Sequence, residues 1–479
     1  MSIPFGFGSG SGDDDQSGNP GNPGGPGFGF GPGGFDMSTL GAALQQLGAM
    51  MQSGQSGPDA GGPVNWSMVT DVARKTLVQG DGDPSVSDAD RRAVVDAVRL
   101  ADVWLDPALT FPATTASPLA WSRSEWLEAT APAWRVIVEP IAEHMQQVVG
   151  QSFPGAAGQE LDLTSLTENM PEQMREMFPG GIPPEMAQMM GPMLGMMQQL
   201  GAAAFSMQLG QALAGLAADV VSSSDIGMPL TAQPVPALLP RNVDAFGEGL
   251  GLPVDDVRLY LALRESAHQR LFAHVPWLRP RIIGAVEEYA RGVHVDQSRL
   301  TEAMGEVDLS NPEALQQLMG SGLLQPEDTE EQRAAIARLE TLLALVEGWV
   351  DDVVETAIAD RLPSAVQLRE TIRRRRAAGG PAEKTFATLV GMELRPRLAR
   401  EAATLFAVVR AGRGFEARDA LWAHPDLLPG PDDLADPLGF IEDSATELEF
   451  EVTEGSDEAV APEQPVDPDD VPGPDEQPA

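Results

Sequence analysis

Cysteine is absent from this 479-residue chain. That excludes disulfides and thiolate metal ligands, and it fits a reducing cytoplasm. Lysine is nearly absent too: Lys75 and Lys384 are the two present, so the basic residues are almost all arginine, as in proteins from GC-rich genomes. Positive charge is scarce overall, with 31 Lys and Arg against 71 Asp and Glu and a net charge of −40. This argues against a general nucleic-acid binder, which needs a basic surface to neutralise phosphate, and it favours solubility. The N-terminus has no basic stretch followed by an apolar one, so no secretory signal is expected and the expected location is cytoplasmic. A phosphate loop with its lysine, a GxSxG elbow and a GxGxxG after a strand are all missing, which leaves no nucleotide or flavin motif. Met186 to Ala218 carries no charge, yet glutamines, Pro192 and several glycines dilute it. It reads as a buried central helix with small residues suited to close packing, a membrane or partner-facing use being the alternative.

The two ends differ from the middle. Residues 1–62 are Gly- and Pro-rich, with repeats such as FGFGSGSG, and hold one apolar stretch, Asp36 to Gln55, that reads as a short helix. From Ile441 onward there are acids and prolines but no basic residue. Both compositions are expected to be disordered, because neither carries enough apolar surface to offset the entropy of ordering. A domain at 63–440 is expected between them.

Within that domain the patterning is helical. NWSMVTDVARKTLV and SVSDADRRAVVDAVRLADVWLD have three- and four-residue apolar spacing, and Ser122-x-x-Glu125 has the spacing of a capping box opening the next helix. Trp104, Trp121, Trp126 and Trp134 are read as core anchors. TAQPVPALLP is the extended segment of the region, and LRETIRRRR, ending at Arg376, is expected to pair with the protein's own carboxylates rather than with phosphate. The fold class is therefore mainly α, with at most a small β element.

One helix conflicts with its own pattern. In Val254 to Tyr289, Val257, Leu261, Leu271, Phe272 and Val275 form an apolar stripe, with Pro276 expected to end the helix. Arg264 and His268 fill gaps in that stripe, and Glu265 lies beside them. A charge on such a face needs a partner or a metal. Thr341 to Asp360 offers one: Leu343, Val350, Val354 and Ile358 make a stripe that Glu347 interrupts, with Asp351 a turn later. Two helices with misplaced charges of opposite sign point to one shared polar site.

Arg264-Glu265-Ser266-Ala267-His268 resembles a zincin HExxH whose first His is replaced by Arg, and Glu347-x-x-x-Asp351 resembles the downstream motif that supplies the third ligand in gluzincins. The flanking blocks, RESAHQRLFAHVPWLRPRIIGAVEEYARG, LVEGWVDDVV and RRRRAAGGPAEKTFATLVGMELRPR, are similar to a zincin-like metallopeptidase family of high-GC Gram-positive bacteria. Its members are labelled hydrolases or zinc-dependent metalloproteases, and one branch is associated with deazaflavin-cofactor biosynthesis. The resemblance implies a zincin-like helical domain, with His268 and Glu347 as zinc ligands, Glu265 as the general base and Asp351 as an acid behind them. It also implies an edge strand near the site helix, placed at TAQPVPALLP, and a peptide or protein partner. Arg264 departs from the pattern, because a guanidinium stays protonated and has no lone pair for zinc.

Three readings stay open. One is a zinc hydrolase whose missing ligand comes from His274, His294, Asp351 or Glu393. A second is a catalytically inactive scaffold in which Arg264 and Glu347 form an ion pair in place of the metal. The third is a chance string on a packed helix. A di-iron bundle would need a second Glu-x-x-His motif, and none occurs.

Overall fold

The computed structural model describes residues 62–152, 184–292, 329–379, 385 and 398–442. The Asp36–Gln55 helix, both tails, His294 and Glu393 lie outside the described residues. Contacts divide the chain into Met1–Ser56 and Gly57–Ala479, and everything described belongs to the second unit.

Helix starts follow local chemistry. Asn65 opens α1 (Trp66–Gln79), its side chain accepting from the Met68 N–H, and Ser87 opens α2 (Asp88–Leu105) by accepting from Asp90. Ser122 and Glu125 exchange bonds with each other's backbone N–H groups to start α3 (Arg123–Ser152). After α4 (Pro184–Asp219) and the short α5 (Pro240–Gly247) comes α6 (Val254–His274), which ends just before Pro276. Leu278–Arg291 forms α7, and Thr329 with Gln332 makes a second capping box for α8 (Glu330–Ile358). Ala365–Ala377 is α9. Ala399–Ala420 is α10, two helical pieces joined at Gly414, whose φ of 89° suits glycine.

Strand is limited to β1 (Leu119–Ala120) and β2 (Ala237–Leu238), paired in parallel with Leu119 opposite Ala237, and Ser222 bridges to Leu238 in the antiparallel sense. The fold is mainly α, as the periodicity predicts.

The helices pack in layers: α1 on α4, α2 on α6, α7 and α10 on α8, with α8 also against α6. Trp126 and Trp134 are fully buried, Trp121 is buried and Trp104 half-buried, with the Arg361 guanidinium over its ring. Gly348 allows α8 and α10 to touch: a methyl built there would stand 2.5 Å from Ala402 Cβ.

Two expectations change. Helix α6 is not amphipathic, because every residue from Tyr260 to Leu271 is buried. It is enclosed by α2, α8, β2, α5 and α9, so the apolar stripe marks only part of what is covered. Helix α4 is not buried all round either. Between Gly201 and Asp219, Leu209, Leu213 and Leu216 are buried while Met207, Gln208 and Gln211 face solvent. No helix among the described residues is long and apolar enough to cross a membrane.

Candidate functional site

The enclosed centre of α6 carries the polar groups, and each has a partner from a distant part of the chain. Arg264, 4% exposed, reaches α8 with both terminal nitrogens. Its Nη2 donates to Glu347 Oε2 at 2.7 Å, and its Nη1 donates to Asp351 Oδ1. Glu347 and Asp351 are four residues apart, on one face of α8. A single guanidinium therefore bridges both, in a forked arrangement that lysine could not reproduce.

Helix α9 closes the site from above. Arg376 Nη1 donates to Glu347 Oε2, and Arg373 donates from Nε and Nη2 to Asp351 Oδ2 at 3.3 and 3.2 Å. Arg375 binds Asp225 Oδ2 at 2.9 Å, tying the same helix to the loop after α4. That loop passes close to the carboxylate at Gly227, whose φ is +75° and where a Cβ would lie 3.0 Å from Glu347 Oε1. Most other residues would be strained there as well as crowded.

His268 completes the cluster. Its Nδ1 is 2.8 Å from the Arg264 carbonyl oxygen, and its Nε2 is 3.1 Å from Glu347 Oε1. Both nitrogens thus lie against oxygens, Nδ1 against the helix backbone and Nε2 against the carboxylate.

The electrostatics follow from the contacts. Burial opposes the charge on Arg264, but the carboxylates of Asp351 and Glu347 outweigh it and hold its pKa above the ordinary arginine value. Burial likewise opposes ionisation of Glu347. Arg376, His268 and Arg264 overcome it and hold the carboxyl well below the usual range.

Glu265 belongs to a different cluster. Fully buried, its carboxylate accepts from Ser223 Oγ, from Ser224 Oγ at 2.5 Å and N at 3.2 Å, from Ala237 N at 3.2 Å and from Gln269 Nε2 at 3.0 Å. The segment TAQPVPALLP thus does run beside α6, with Ala237 of β2 donating to Glu265. These bonds occupy the carboxylate's lone pairs and fasten the Ser222–Ala237 region to α6.

Of the other histidines, His274 is exposed, with Nδ1 on the Arg270 carbonyl oxygen at 2.8 Å and its ring stacked on Phe111. His144 is half-buried. His424 is exposed at a turn, where it accepts from Asp426 N. Among the described residues no group of three or more His, Asp or Glu side chains is placed to hold a metal ion. Zinc would need a donor where the Arg264 guanidinium stands, which has no lone pair to give, so the residues around Glu347 do not fit it.

The structure brings together Arg264, His268, Glu347 and Asp351, and sets Glu265 apart. Sequence reasoning missed Arg373 and Arg376 as members of this site and Ser223 and Ser224 as partners of Glu265. The spacing of 373 and 376 on one helical face was the available signal.

This chain belongs to the zincin-like metallopeptidase family, whose family model matches residues 64–441. Membership implies zinc for the family in general. Among solved structures, a crystal structure from Chloroflexus aurantiacus titled "putative hydrolase with a novel fold" is similar, with a TM-score of 0.50 and 19% identity over 80% of this chain and 99% of that one. At that identity the likeness speaks for the fold alone. No curated protein matches.

Proposed function

We propose that this chain is a catalytically inactive zincin-like metallopeptidase homologue, a scaffold for a peptide or protein partner in which a buried ion-pair cluster takes the place of zinc. The observation that carries this reading is the Arg264 guanidinium bridging Glu347 and Asp351. A group that is always charged and lacks a lone pair occupies the position of the first ligand histidine, and Arg376 adds a second positive charge against Glu347. Glu265, the general base of an active family member, is here a structural acceptor for two serines and a strand N–H. The competing reading, a zinc hydrolase, has family membership in its favour and needs a ligand set that the described residues do not supply.

The test is elemental analysis of the full chain purified with zinc present, alongside zinc titration followed by calorimetry. Zinc is expected well below one per chain, and the double substitution Arg264→His with Arg376→Ala should raise zinc affinity by about tenfold or more, since it restores a donor and removes a repelling charge. Stoichiometric zinc in the unaltered protein, lost on His268→Ala, would overturn the scaffold reading and restore the hydrolase.

A further inference from the structure

Helix α9 covers the polar site through charge more than through packing. Of its 13 residues Leu368 and Ile372 are buried, and the rest are half-buried or exposed. Its first turn borders a cavity of about 80 Å³ instead of a filled core, lined by Ala365 and Val366 and, from α6 and α8, by Tyr260, Val354 and Ile358.

The charges are set in register. Glu347, Asp351 and Glu355 follow one another at four-residue steps along α8, and Arg376, Arg373 and Arg369 of α9 meet them in reverse order. Steps of three and four keep each set on one helical face, so the pairs form the rungs of an antiparallel ladder. Arg375 adds a fourth tie, to Asp225 at 2.9 Å. Glu347 at the inner rung is buried, but the three arginines of the ladder are 22%, 31% and 27% exposed, which leaves them open to dissolved ions.

Without those partners the helix opposes itself, because Arg373 to Arg376 are four adjacent like charges and the first and last stand one turn apart. Its two ends are also unlike. Before α9, Ala359 holds φ 45° and ψ −120°, a setting that strains a residue with a Cβ, and after it Gly379 has φ +83°, which glycine adopts freely. Ser364 Oγ donates to Asp256 Oδ2 at 2.5 Å and Gln367 Nε2 to the Leu250 carbonyl oxygen at 3.0 Å. Neutral donors thus fasten the N-terminal end, whereas arginine contacts fasten the C-terminal one.

From this arrangement we infer that α9 is an electrostatically latched lid: its C-terminal half swings away from α8 when the ladder is screened, and it uncovers Glu347 and Asp351. The screening length falls from about 10 Å at 0.1 M salt to about 3 Å at 1 M, so the latch loosens as ionic strength rises. A helix held by apolar burial does not loosen in that way. The inference does not rest on the scaffold reading, since a lid over Glu347 would gate an active site and a silent one alike.

The test is hydrogen exchange of the full chain, read by mass spectrometry at 0.1 M and 1 M sodium chloride, with peptides from α1 as the internal reference. Relative to α1, the amides of residues 369–377 are expected to exchange at least about fivefold faster at the higher salt, because four partly exposed pairs each lose part of their attraction. Arg369→Gln removes the outermost rung, whose Glu355 is 60% exposed, so the variant should fold as the parent does. Its α9 should exchange faster than the parent's at 0.1 M salt and gain less at 1 M. An α9 that exchanges equally at both salt concentrations, or an increase shared in full by α1 and α10, would overturn the lid. So would an Arg369→Gln variant whose α9 keeps the parent's rates and salt response.

Discussion

Replacing Arg264 by Met is expected to destabilise the fold by about 3–5 kcal/mol, because it leaves two buried carboxylates without the cation between them. The value should fall toward the lower end, since Glu347 keeps Arg376 and His268 while Asp351 keeps Arg373. Glu347→Leu strands Arg264 in the same way, with Asp351 alone to answer it. The double substitution should cost far less than the sum of the two, giving a coupling of about 1–3 kcal/mol in urea denaturation. Additivity within about 0.5 kcal/mol would show that the two side chains stabilise the fold independently.

The same cluster sets an acid limit. The Glu347 carboxyl is held below its ordinary value, so its contribution is complete above the unfolded pKa of about 4.3 and is lost as pH falls from there toward the folded value. Stability should therefore decline below about pH 4.3, and Glu347→Gln should flatten that limb. An identical acid profile in the variant would assign the loss to other carboxylates.

A larger effect is expected at Arg418, which is 0% exposed. Its Nη1 donates to Asp352 at 2.9 Å, its Nε to Asp419 at 2.8 Å and its Nη2 to the Ala108 carbonyl at 2.8 Å, while its guanidinium lies over the Trp349 ring. Arg418→Met should cost about 4–5 kcal/mol, the upper end for a broken buried pair, because three acceptors lose a donor at once. Arg418→Lys keeps the charge but not the fork, so it should recover only part of the loss. A melting midpoint for Arg418→Met within a few degrees of the parent would contradict this account.

How much was legible depended on how local each signal was. The capping box at Ser122 and Glu125 and the stop before Pro276 are written within a few residues, and the structure places them so. The arginines of α9 do pair with the protein's own carboxylates, as their setting in an acidic chain predicts, but Asp225, Glu347 and Asp351 are distant in sequence and could not be named from it. The misplaced charges on α6 and α8 were visible as breaks in two apolar patterns, although the patterns alone could not say which groups meet. Enclosure of α6 from Tyr260 to Leu271 was hidden, since RESAHQR is a polar run and its burial depends on partners supplied by α2, α8 and the Ser223–Ser224 turn. The two-residue strands were equally hidden. Leu119 and Ala120 are too few for any alternation to register, and β1 exists because β2 lies beside it.

The neighbouring residues Asp351 and Asp352 stand about 100° apart around α8. One is engaged by α6 and α9, the other by Arg410 and Arg418 of α10. A rotation of the helix by one residue, or a slide by one turn of about 5.4 Å, would break the contacts on both flanks together. Helix α8 thus behaves as a keyed shaft: it has one angular setting, and the shear of packed helices that many proteins use for switching is closed to it.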